Sequence, residues 1–131
     1  MPPETISIHY LQPSQLYISE EKIQQIRQWF DPHDLSFFPP IPIKVLDDLL
    51  VMTDGHTRTV VALQAGLTEL PFVWETDELD WDMYRACVAA CHEHGIQSPS
   101  DLLARVVNPR EYQEKWHSWC DRMQEEVRAR R

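Results

Sequence analysis

Hydrophobic and polar residues alternate first over ISIHYL (6–11), whose β-branched and aromatic content predicts a strand. QPSQLYIS then turns the chain. Ser19 fits a helix N-cap, and Glu20 and Glu21 place negative charge on the first turn. Ile23, Ile26 and Phe30 recur at helical spacing and form one apolar face, and DPHD with Pro32 stops the helix. Pro39, Pro40 and Pro42 predict an extended edge segment leading into strand IKVL. Asp47–Asp48 reads as a hairpin turn and LLVMT as a short buried strand. Thr57 is placed to cap a helix through RTVVALQA, with Gly66 just beyond its end, and ELPFVWE (69–75) is a further strand.

After Thr76 the period becomes helical. Leu79, Met83, Cys87 and Ala90 fall on one stripe that ends at Gly95. Ser98–Pro99 and Asn108–Pro109 each place a capping residue before a proline at the first helical position. Tyr112, Trp116, Trp119 and Met123 give the last helix an apolar face. Residues 1–76 thus predict a β-α-β-β-α-β unit, and 77–131 a helical extension packed on it as one compact unit. The fold class is α+β, a small mixed sheet with helices followed by a C-terminal helical extension.

Composition narrows the functional classes. The 131 residues carry a formal net charge of −9, with 43% hydrophobic and 25% charged residues. No run approaches the roughly 20 apolar residues of a membrane span, and MPPETISIHY lacks the pattern of a signal peptide, so a cytoplasmic location is expected. Residues 1–76 hold ten acids against four Lys or Arg, and 77–131 eleven against eight. Nucleic-acid binders draw affinity from basic faces, and only the tail RARR is basic, so nucleic acid is not the expected partner. Cys87, Cys91 and Cys120 are odd in number and include no C-x-x-C pair. With His92, His94 and His117 they could be drawn as a metal site, but ACVAAC reads more simply as an apolar helix face. No structural metal is expected, and the acids of DELDWD (77–82) are explained by a helix start.

The densest polar chemistry lies in TDGHTR, residues 53–58, between a strand and a helix. A glycine there lets a ligand approach the backbone. The first amides of the following helix are unpaired and its dipole makes that end positive, which suits a phosphate. His56, Thr57 and Arg58 add a donor, a hydroxyl and a cation, and Asp54 could orient them or hold a magnesium ion beside a phosphate. Spacing alone leaves open a plain Asp-Gly turn with Thr57 as cap and Arg58 paired to Asp54.

The order of strand, SEE-led helix, PPIPIKV, MTDGHTRTVVALQAG and ELPFVWE resembles the ParB/sulfiredoxin-like superfamily over about the first 76 residues. In that superfamily the corner after the strand binds nucleotide phosphates or a phosphorylated group. Its sulfinic-acid reductases carry a nucleophilic cysteine where this chain has His56, and residues 1–76 contain no cysteine. Its DNA-partition members have an arginine-rich corner followed by a helix-turn-helix reader, whereas the corner here is GHTR and the C-terminal helices are acidic with no obvious reader pattern. The corner is nearest to the Asp-Gly-His-His-Arg of the superfamily's free-serine kinases, differing at Thr57. That resemblance implies Glu20 or Glu21 as general base. It also implies Asp54, Gly55, His56, Thr57 and Arg58 as the holders of the phosphates of ATP, ADP or CTP with magnesium.

Two principal readings follow. In one, the chain binds a nucleotide or phosphorylated small molecule, and in its strongest form is a small phosphotransferase acting on a hydroxyl. In the other it is a non-catalytic module that binds a protein partner or a second copy of itself through its C-terminal helices. A nuclease-like or DNA-binding activity is a weaker third.

Overall fold

The computed structural model describes residues 4–131 as a mixed α+β fold. The strands are β1 (Thr5–Ser7), β2 (Leu11–Gln12), β3 (Ile18–Ser19), β4 (Ile41–Leu46), β5 (Leu49–Met52), β6 (Glu69–Trp74) and β7 (Val106–Val107). The helices are α1 (Glu20–Arg27), α2 (His56–Gln64), α3 (Trp81–Glu93), α4 (Pro109–Tyr112) and α5 (Ser118–Ala129). A 3₁₀ helix spans Pro99–Arg105, and a π-helical turn, Gln113–His117, joins α4 to α5. The main sheet runs β1-β6-β4-β5-β2, with β1/β6 and β4/β5 antiparallel and β6/β4 and β5/β2 parallel.

The single strand expected over 6–11 is two strands separated by a 3₁₀ turn at Ile8–Tyr10. β1 pairs at one edge of the sheet and β2 at the other. The segment therefore bridges a curled sheet. Ile8 and Leu11, both fully buried, stand three residues apart, the period that a 3₁₀ turn places on one side.

Pro42 lies in β4, which has β5 and β6 on its two sides; the expected edge segment is part of an interior strand. Thr53 N donates to Pro42 O at 3.0 Å, but proline has no N–H to return the bond. Thr53 O instead accepts from the Tyr84 hydroxyl of α3 at 2.9 Å. A side chain from the helical half thus replaces the missing ladder bond.

Asp47 and Asp48 form the two-residue turn of the β4–β5 hairpin, with φ of 51° and 67°. Both signs match the type I′ turn that follows the twist of a hairpin. Ser19 caps α1, its Oγ accepting from Lys22 N. α2 closes with Leu67 N donating to Ala62 O and Gly66 N to Leu63 O, the Schellman pair.

No seam follows residue 76. One buried cluster joins Leu16, Ile18, Ile23, Val60 and Val61 to Met83, Cys87, Cys91, Leu102, Tyr112 and Trp116. β3 and β7 pair in parallel as a second small sheet across the same boundary. No helix among the described residues is long and apolar enough to cross a membrane.

Candidate functional site

Gly55 is the N-cap of α2, in the left-handed region at φ 80°, and Thr57 lies in the helix's first turn. Thr57 is therefore not the cap. The glycine takes the position because the turn from β5 requires a positive φ that a side chain resists. A Cβ on Gly55 would also stand 2.8 Å from Ile41 Cδ1 and 2.9 Å from Arg58 Nη2. The guanidinium is thus folded back over the backbone of the corner.

Thr59 makes the first helical bond, its N and Oγ1 donating to Gly55 O at 3.0 and 2.9 Å. The amides of His56, Thr57 and Arg58 precede it and have no intrahelical acceptor. The cap supplies no side-chain acceptor for them. Asp54 Oδ1 accepts from Gly55 N at 2.8 Å. Among the described residues Asp54 and Arg58 form no salt bridge. Arg58 Nη2 reaches Pro40 O at 3.5 Å, and its Nε is buried without a partner. Burial lowers the Arg58 pKa, and the Asp54 charge opposes that shift.

His56 is nearly fully buried. Ser14 N donates to its Nε2 at 3.0 Å, while Ser14 Oγ donates to Met52 O at 2.6 Å. An Nε2 that accepts an amide leaves the ring proton on Nδ1 and the imidazole neutral. Burial pulls the His56 pKa down to about 4, with Asp54 raising it and Arg58 lowering it. His56 therefore ties the turn before β3 to the start of α2 and contributes no positive charge at neutral pH.

A cavity of about 270 Å³ opens on the corner. Asp54, Gly55, His56, Thr57 and Arg58 form one wall; Lys22, Gln25 and Ile26 of α1, with Gln15 and Tyr112, form the rest. Lys22 Nζ lies 5.0 Å from the Tyr112 ring centroid, and Gln15 Nε2 donates to the Tyr112 hydroxyl at 3.0 Å. Of the four Lys or Arg in residues 1–76, two line this one cavity. In a chain of net charge −9, that concentrates positive charge where three amides are free.

Glu20 and Glu21 are exposed in the first turn of α1, and neither lines the cavity. The same helix sends in Lys22, Gln25 and Ile26 instead, at the i, i+3, i+4 spacing of one face. That face is visible in the sequence once the helix is placed. Gln15 and Tyr112 carry no comparable signal, because only the tertiary fold brings them beside Gly55.

A second cavity, also about 270 Å³, lies against the helical half and shares Gln15, Asp54 and His56 with the first. Cys87 and Cys120 line it. Burial raises their thiol pKa values, Cys87 to about 12 and Cys120 to about 11, so both are protonated at neutral pH. Cys91 is buried, with its Sγ 3.6 Å from Gln15 O and its pKa also near 12. Among the described residues no group of three or more His, Cys, Asp or Glu is arranged to hold a metal ion.

No protein-family model and no curated protein matches the chain. Its structure is similar to the crystal structure of protein Atu1540 from Agrobacterium tumefaciens, with a TM-score of 0.42 and 15% sequence identity. The likeness covers 75% of this chain and 51% of that protein, so the chain spans about half of that protein's length.

Proposed function

We propose that the corner at residues 54–58 binds the phosphate of a nucleotide or phosphorylated small molecule, in a domain of the ParB/sulfiredoxin-like kind. One observation carries this reading: the three unpaired amides of α2 share a cavity with Lys22 and with an Arg58 whose buried Nε lacks a partner. A tetrahedral oxyanion supplies several acceptors at once, which suits a cavity where two cations and a helix start gather. A side chain at Gly55 would collide with Ile41 and displace the Arg58 guanidinium from the corner.

The residues fit a phosphate group, and the cavity is small for a whole nucleotide, since small-molecule sites commonly enclose roughly 300–1,000 Å³. Magnesium with ATP, ADP or CTP is accommodated by this reading through Asp54, the carboxylate that lines the cavity. In its catalytic form the protein is a small phosphotransferase with Glu20 or Glu21 as base. That form requires the acceptor hydroxyl to sit at the exposed start of α1.

Calorimetric titration with ATP, ADP, CTP and inorganic phosphate, with and without magnesium, tests binding. Saturable heat with at least one of them is expected, and none with any of them contradicts the reading. Loss of phosphoryl transfer in Glu20→Gln or Glu21→Gln, with binding retained, would separate catalysis from binding.

Exposed aromatic residues lend support to the interaction reading as well. Trp116 is buried and stacks on Trp119 at 5.4 Å, so that pair is core. Phe37, 88% exposed, stands near half-exposed Trp29 on the loop after α1.

A further inference from the structure

We infer that the second cavity receives the uncharged, largely apolar body of the same ligand whose phosphate occupies the corner, so the site takes a compact phosphate monoester and not a bare anion. This inference rests on the phosphate reading of residues 54–58.

Three observations place the two compartments in one site. First, Gln15, Asp54 and His56 belong to the walls of both cavities. Second, the C-terminal helical stretch runs past both: Tyr112 lines the corner cavity, and Trp116, Cys120 and Gln124 line the second. These four residues recur every fourth position, one stripe along that stretch. The π turn Gln113–His117 lies where the stripe passes from one cavity to the other, with Ser118 Oγ donating to Gln113 O at 3.2 Å. Such turns shift the side chains that follow and are frequent at functional sites. Third, the compartments differ in chemistry. The corner holds both cations and the free amides, and no Lys or Arg lines the second cavity.

Its walls include Met83, Tyr84, Cys87, Trp116 and Cys120, with both thiols neutral. Asp54 and Asp80 are the acids there. Asp80 Oδ1 already accepts from Met83 N and pairs with Arg131. A second anionic group would find no counter-charge in this compartment, whereas a ring or short alkyl body would find apolar walls. Each cavity is small on its own, about 270 Å³, so a ligand that reaches both must be compact.

The test compares inorganic phosphate with phenyl phosphate by calorimetry on the full chain. Phenyl phosphate is expected to bind at least tenfold more tightly. Gln124→Trp, a change at an exposed residue on the second cavity's wall, is expected to abolish that gain and leave phosphate affinity unaltered. NOEs from the phenyl protons to the Met83 methyl group give a readout that needs no variant. Equal affinity for the two probes, or phenyl NOEs only to groups outside the second cavity, overturns the inference and leaves the phosphate reading standing. Absence of binding by both probes overturns both.

Discussion

His56 braces the corner at which phosphate is proposed to bind, tying the loop at Ser14 to the start of α2. Its Nε2 accepts Ser14 N, and burial holds its pKa near 4 against an ordinary value of 6.5. The unfolded chain therefore binds a proton between these values that the folded chain refuses. Stability should be fully present above pH 6.5 and should fall as pH drops toward 4, by at most about 3 kcal/mol from this group. Urea denaturation of wild type and His56→Gln at pH 4.5 and 7.5 checks this, with the variant showing the smaller pH difference. Gly55→Ala places a side chain at φ 80° against Ile41 and Arg58, and should cost at least about 1–2 kcal/mol. The midpoint of thermal unfolding reads that loss. Glycine at the corner was legible from sequence, since a turn at Asp54–Gly55 requires it. The burial of His56 was not, because Ser14 lies 42 residues away.

At the scale of elements, those written in local chemistry were the ones read correctly. Ser19 as cap, Asp47–Asp48 as turn, Gly66 after α2 and the β6 strand all follow from neighbours in sequence. Local chemistry nonetheless misplaces the cap of α2, which is Gly55 and not Thr57, and the two departures in the sheet depend on distant partners. The break at Ile8–Tyr10 exists because β1 and β2 serve opposite edges, and Pro42 sits in an interior strand because Tyr84 supplies the missing donor. Asp48 at φ 67° bears a left-handed cost that glycine lacks. Asp48→Gly should therefore stabilise the hairpin by up to about 1 kcal/mol, visible as a higher urea midpoint with an unchanged slope. A lower midpoint would count against the turn assignment.

Over the whole molecule, the helical half completes the core of the sheet half. Val60, Val61, Leu16 and Ile18 are buried with Met83, Cys87 and Cys91, so a fragment of residues 1–76 would expose an apolar face. That fragment is expected to show no cooperative unfolding, whereas the full chain unfolds in one transition by both tryptophan fluorescence and circular dichroism. The overall acidity also frames the site. A net charge of −9 repels anions in general, so phosphate should bind only where Lys22, Arg58 and the α2 amides gather. The most direct test is a titration of the 15N-labelled protein with inorganic phosphate, followed amide by amide. Saturable shifts are expected at His56, Thr57 and Arg58, with affinity falling about tenfold in Arg58→Ala, the scale of one charge-assisted contact. No saturable shift at these three amides, or shifts confined to the arginines of the C-terminus, would contradict the account.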